Sequence, residues 1–316
     1  MIICNPGIKP KNKHIQTILA SSKVRLLRLK NKTSFANTKK EVIETPDAKL
    51  LGFYNQKEKA ESLYILIHGW EGSSNSTYIQ LLANTLLTKK NASVYRLNLR
   101  DHGESHHLNK QIFHSCRLEE VLDAVKVITE KYNYKNYYLC GFSLGGNFSL
   151  RVAANVYDKQ IKLNKVFAIS PPIDPKKSMI AIEASKIYSR YFMKKWKRSL
   201  IKKKELFPDL FEEENFYKIN SLNELTQKLI VEHSEYETTD EYFQGYSITK
   251  ETLKNISIPC DVITSWDDPV IPFEDFNILD KQKNVKLITS KHGGHCGFIN
   301  SWKMTSWIEQ YILENS

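Results

Sequence analysis

Seven residues in the middle of the chain, Gly141-Phe142-Ser143-Leu144-Gly145-Gly146-Asn147, could carry out nucleophilic chemistry. They follow the apolar run Tyr137-Tyr138-Leu139-Cys140 and precede a stretch of helical period, which places Ser143 at a sharp strand-to-helix turn. Such a turn holds the serine backbone in a strained conformation that bulky neighbours would obstruct, and Gly141 and Gly145 supply the clearance. The start of the next helix brings unpaired amides and the positive end of its dipole beside the hydroxyl, where an oxyanion would develop.

A serine is a weak nucleophile until a base takes its proton, and the base must itself be oriented by an acid. Both follow in the chain. Trp266-Asp267-Asp268-Pro269-Val270-Ile271-Pro272 comes after an apolar run at 261–265, and Lys291-His292-Gly293-Gly294-His295-Cys296-Gly297-Phe298 comes after another at 285–290. Each lies past the C-terminal end of an expected strand, where open parallel sheets place their functional groups.

The elements that must position these residues follow from the hydrophobic pattern. Runs at 63–68, 93–98, 137–141, 166–170, 261–265 and 285–290 read as strands, and 78–87, 117–132, 145–157 and 302–313 read as helices. That alternation predicts an α/β fold, a largely parallel sheet covered on both faces. Residues 174–254 break the alternation: they are helical, rich in charge and without a strong buried strand, so they are expected to form a helical cap inserted into the core. The expected organisation is an arm packing on the core at 1–40, the core at 41–173 and 255–316, and the cap between.

Four segments taken in order, His68-Gly69-Trp70-Glu71-Gly72-Ser73-Ser74, residues 141–147, 267–272 and 293–298, resemble the α/β-hydrolase superfamily. Within it they are similar to the abhydrolase-type carboxylesterases and phospholipases that share HGxEGSS, GFSLGGN, DDPVIP and GGHxGF motifs. His14-Ile15-Gln16-Thr17 resembles that branch's N-terminal H-x-Q-T signature. The resemblance implies the α/β-hydrolase fold and cleavage of a carboxylic ester through an acyl-enzyme, with a lipid among the candidate substrates. The family's acid is followed by x-hydrophobic-hydrophobic-Pro, a frame that Asp268 fits and Asp267 does not. Of His292 and His295, only His295 has the x-Gly-Phe continuation and the preceding glycine pair. The implied triad is Ser143, Asp268 and His295, with the amides of Trp70 and Leu144 as the oxyanion hole. His68 is expected to brace its loop rather than act as a base. An acyltransferase or thioesterase would use the same residues, and a catalytically silent membrane-binding protein would keep the fold.

Composition narrows the remaining readings. With 316 residues, 41% hydrophobic and 26% charged, the chain has ample material for a core, which excludes a disordered chain. No apolar run approaches the roughly 18 residues of a membrane span. Five cysteines without a CxxC pair suit a reducing compartment, and the expected location is cytoplasmic. The histidines of 101–107 lack the spacing of a metal site, so no metal or cofactor is expected. The formal charge of +11 is concentrated between residues 186 and 204, which hold nine Lys or Arg. Two readings compete for that cationic stretch: a solvated cap helix whose apolar stripe covers the site, or an interfacial helix touching an anionic membrane. Nucleic acid is not expected, because no recognition motif accompanies the charge.

Overall fold

The computed structural model describes residues 1–29, 35–211, 215–280 and 282–316. Among these, nine strands form one sheet: β1 (Ile2–Cys4), β2 (Lys39–Glu44), β3 (Lys49–Asn55), β4 (Ser62–Ile67), β5 (Ser93–Leu97), β6 (Asn136–Phe142), β7 (Lys165–Ile169), β8 (Cys260–Ser265) and β9 (Val285–Ser290). The helices are α1 (Lys13–Ser21), α2 (Thr77–Thr85), α3 (Leu118–Lys131), α4 (Leu144–Asn155), α5 (Pro175–Ala184), α6 (Lys186–Leu206), α7 (Leu222–His233), α8 (Thr239–Gly245), α9 (Lys250–Lys254) and α10 (Trp307–Asn315). The strand order is β1-β9-β8-β7-β6-β4-β5-β3-β2, with only β2 and β3 antiparallel to their neighbours.

The central strands are apolar without a break because both faces of the sheet are covered. In β4, Leu63, Ile65 and Ile67 face one core with α3, α4 and helices of the segment between β7 and β8. Tyr64 and Leu66 face the other, built on α2 and α10. Alternate residues thus feed opposite cores, each buried Leu or Ile contributing about 1.5–3 kcal/mol. β2 and β3 did not stand out in the sequence. β2, Lys-Lys-Glu-Val-Ile-Glu, is a sheet edge whose one fully buried residue is Ile43, so its hydrophobic signal is short.

The described N-terminal residues join the sheet and the loops at its end. β1 pairs in parallel with β9, Ile2 opposite Ile288. α1 is capped by Asn12 and lies against the loops at the C-terminal end of the sheet. The last helix also differs from expectation: it starts at Trp307 rather than 302, because Asn300 accepts and donates within a turn closed on Thr305 and Ser306 forms a capping box with Glu309.

Between β7 and β8 the described residues contribute α5 to α9 and no strand. α6 is the longest helix, and its lysines divide between two environments. The expectation that its cations face solvent fails for Lys203, which is 1% exposed and ion-paired to Asp101 at 2.7 Å while donating to the carbonyl of His106. Lys195 donates to the carbonyl of Glu71 at 2.9 Å, and Lys202 reaches the carbonyl of Gly103. Lys186, Arg190, Lys194 and Arg198, spaced by four, remain exposed and form no ion pair among the described residues. One face of the helix is therefore fastened to the core by its cations, and another presents them outward.

Candidate active site

Ser143 ends up where the glycines allow it. Its backbone sits at φ +53°, a conformation that costs a non-glycine residue about 1–3 kcal/mol and persists only where the surroundings impose it. A Cβ on Gly141 would lie 2.0 Å from the carbonyl of Gly145, and one on Gly145 would lie 2.4 Å from the carbonyl of Ile67. Those contacts leave no room for any other residue at either flank. The Ser143 amide donates to Ile169 of β7, and Asn147 is tied to the carbonyls of Pro172 and Tyr246, so the elbow is held from both sides.

The loops after β6, β8 and β9 converge. The Ser143 hydroxyl lies 2.9 Å from His295 Nε2, and His295 Nδ1 donates to Asp268 Oδ2 at 3.0 Å. The other carboxylate oxygen of Asp268 accepts from the amides of Val270 and Ile271 at 2.8 and 3.0 Å. Burial works against a charged imidazole, but the fully buried Asp268 carboxylate outweighs it and holds His295 well above the ordinary histidine value. Such a ring is a strong proton acceptor for the serine.

Asp267 and His292 form a second pair, at 3.2 Å, on the rim. The work of Asp267 is local: its Oδ1 accepts from the amides of Gly293 and Gly294 at 3.0 and 2.9 Å, fixing the loop that presents His295. Among the described residues it forms no hydrogen bond with Ser143 or His295.

His68 and His102 are braces. Leu99 N–H donates to His68 Nε2, leaving Nδ1–H to donate to the carbonyl of Gly69. Glu71 N–H donates to His102 Nε2, whose Nδ1–H donates to Arg100. Burial keeps both rings neutral, His68 well below its ordinary value and His102 at about 4. In the loop after β4 the amide of Gly69 donates to the Tyr78 hydroxyl, Glu71 to His102 and Gly72 to Gly69. The amide of Trp70 between them has no acceptor among the described residues. Leu144 opens α4, so its amide too lacks a partner within the helix. A Cβ on Gly69 would meet Ser143 Cβ at 3.0 Å, which measures how closely this loop approaches the serine.

α1 is the part of the site whose role was not read from sequence, although its H-x-Q-T residues had been singled out. Thr17 Oγ1 accepts from the amide of His295 itself at 2.9 Å. Gln16, fully buried, accepts from Ile299 N–H and donates to the carbonyls of Ile299 and Pro10. His14 Nδ1 and the Tyr188 hydroxyl of α6 are 2.8 Å apart. The glycines of the histidine loop follow from this packing: a Cβ on Gly294 would lie 2.4 Å from the carbonyl of Lys13, and one on Gly297 would lie 2.5 Å from that of Gln16.

A cleft opens beside Ser143, between the core loops and helices α5 to α8. Trp70, Leu144, Met179, Ile182, Leu229 and Ile271 are among its predominantly apolar lining. Trp70 stacks on Phe192 at 5.1 Å and meets Trp196 edge-on, so the loop expected to stabilise an oxyanion is pinned by α6. Glu71, next to Trp70, is pushed up to about 7 by burial, against the pull of Lys195 and Arg198. Among the described residues no group of side chains could hold a metal ion, and no helix is long and apolar enough to cross a membrane.

Comparison with known proteins agrees with this architecture. Residues 65–301 match the family model described as the alpha/beta hydrolase fold. The chain is 20% identical over 260 residues to monoacylglycerol lipase of Saccharomyces cerevisiae, a match covering 79% of this chain but only 58% of the yeast protein. It is 22% identical over 316 residues to an abhydrolase domain-containing protein of Dictyostelium discoideum, covering 96% of this chain and 78% of that one. Among solved structures, a Pyrococcus furiosus esterase superposes with a TM-score of 0.60 at 18% identity, covering 88% of this chain and 89% of its own. At that identity the likeness is one of fold.

Proposed function

The chain belongs to the α/β-hydrolase family, and from that premise we propose that it is a serine hydrolase cleaving carboxylic esters through an acyl-enzyme. The observation that carries the reading is the unbroken row from Ser143 through His295 to Asp268, with links of 2.9 and 3.0 Å. In the proposed cycle Ser143 Oγ attacks the ester carbonyl while His295 Nε2 takes its proton, and Asp268 holds the ring in the required tautomer and stabilises the imidazolium. The amides of Trp70 and Leu144 receive the oxyanion. His295 then protonates the leaving alkoxide, and a water deprotonated by the same nitrogen releases the acid. Side chains of this chain supply every proton transfer.

The apolar cleft favours a substrate with an acyl chain, in keeping with the lipase and esterase among the relatives. The helical segment 174–254 is the proposed cap over that chain. The exposed cations Lys186, Arg190, Lys194 and Arg198 support a second element of the reading, peripheral contact with an anionic membrane that would supply a lipid ester.

Hydrolysis of p-nitrophenyl esters of graded acyl length tests the proposal. Turnover should peak at an intermediate or long chain and fall to a trace in Ser143→Ala. Activity that survives in that variant removes Ser143 from the reaction.

A further inference from the structure

The cleft wall carries one buried polar side chain that ester cleavage does not use and that has no hydrogen-bond partner among the described residues. His114, in the loop between β5 and α3, lines the cleft that Ser143 lines, is 4% exposed, and neither of its ring nitrogens has a hydrogen-bond partner among the described residues. The nearest carboxylate, on the largely exposed Glu235, is 3.7 Å from Nε2, beyond hydrogen-bond reach. Tyr236 and Tyr242 meet the ring edge-on and leave its nitrogens unpaired.

Its neighbours behave differently. Thr226 and Ser178, in the same wall, donate to the carbonyls of Leu222 and Asp174. The hydroxyl of Tyr242 accepts from the Ser115 amide, and Arg151 donates to the Ser115 carbonyl. His68 and His102, equally buried, each satisfy both nitrogens. A buried imidazole with a donor and an acceptor both unused is costly in the free protein. Burial, reinforced by Arg117, Arg100 and Arg151, pushes its pKa down to about 3, so the ring is neutral and offers one N–H and one lone pair.

Resting on the ester-hydrolase reading, we propose that His114 is a specificity-determining residue that hydrogen-bonds a neutral oxygen function, a hydroxyl or a carbonyl, borne on the substrate chain away from the scissile ester. A neutral function fits because the surrounding wall is apolar, with Ile112, Phe113, Met179 and Leu229, and would desolvate a full charge. A hydroxyl or carbonyl needs only the single donor or acceptor that His114 holds out.

The test compares medium-chain p-nitrophenyl esters, unsubstituted or carrying one hydroxyl or keto group at successive positions, on the wild type, His114→Phe and His114→Gln. At one or more positions the wild type should favour the oxygenated ester in kcat/KM by at least about tenfold, the worth of one hydrogen bond. His114→Phe should remove that preference while still cleaving the unsubstituted ester, and His114→Gln, which keeps a donor and an acceptor, should retain part of it. A wild type indifferent to every oxygenated position overturns the proposal, as does a preference that survives in both variants. The change in tryptophan emission on adding the matching alkanols and diols, measured on Ser143→Ala, separates this from the ester reading, since Trp70 and Trp196 line the cleft. Tighter binding of the diol that depends on His114, in a protein whose wild type cleaves no ester, would leave His114 standing and overturn the ester reading alone.

Discussion

The two walls of the cleft are held in place by different physics. On the core side, polar groups are fixed by short, directed hydrogen bonds: Asp268 by two amides, the histidine loop by Asp267, and the His295 amide by Thr17. On the side of α6, the contacts around Trp70 are aromatic faces and edges, supported by lysines of that helix reaching core carbonyls and one buried carboxylate. Directed bonds fix angles, which proton transfer needs, while packed rings fix shape and volume, which chain selection needs. Rate should therefore be lost by changing the first wall, and stability or substrate choice by changing the second.

The sharpest way to break that division is at the adjacent aspartates. Asp268→Asn should lower kcat by about 10⁴-fold, because the imidazole loses the partner that sets its tautomer. Asp267→Asn, which keeps an oxygen to accept from the Gly293 and Gly294 amides, should cost no more than about tenfold. Reversed effects would show that the loop is read one residue out of frame.

Next in size is the buried pair that α6 forms with the core. Lys203→Met strands the Asp101 carboxylate and should lower unfolding free energy by about 3–5 kcal/mol in a denaturant titration. Lys194→Gln, on the exposed row, should stay within about 0.5 kcal/mol. Equal effects would mean that α6 is not fastened through one face.

Thr17→Val should cost less again, lowering kcat by about tenfold with KM little changed, since only the histidine's backbone anchor is lost. A change confined to KM would assign α1 to substrate binding instead.

The pH profile sharpens the same contrast. With His295 held above its ordinary value by Asp268, the base is neutral only at higher pH, so activity should rise as pH climbs through that raised value. A limb at the unperturbed histidine value, about 6.5, would count against the Asp268 link. Stability should run on other residues. Burial, reinforced by Lys195 at His102, by Lys202 and Lys203 at His106, and by Arg117, Arg100 and Arg151 at His114, holds the three rings at about 4, 3 and 3. Their folded values lie below the unfolded one, so their contribution is present above about pH 6.5 and is lost as pH falls toward 3–4. Thermal melts at descending pH should show that loss.

Much of the core wall was legible in sequence because sterics and chain order dictate it. Only small residues fit at Gly141 and Gly145, and a serine, an acid and a histidine each following an apolar run, in that chain order, have few other uses. The rest depended on distance along the chain or on helix rotation. Thr17 reaches His295 across 278 residues, and no local pattern announces such a contact. In Lys202-Lys203-Lys204 composition is uniform, yet only Lys203 turns fully inward, a difference of one hundred degrees of helix rotation that charge alone does not encode. β2 was missed because an edge strand with one fully buried residue carries little hydrophobic signal, whereas β3 buries Leu50, Leu51 and Tyr54 and was missed despite its apolar residues.

The most direct measurement is to map the adduct of a fluorophosphonate probe on the folded wild type, Asp268→Asn and Ser143→Ala. One adduct per chain should form on the peptide that contains Ser143, more slowly in Asp268→Asn and not at all in Ser143→Ala. A folded wild type that stays unlabelled, or an adduct on any other residue, would contradict a nucleophilic Ser143.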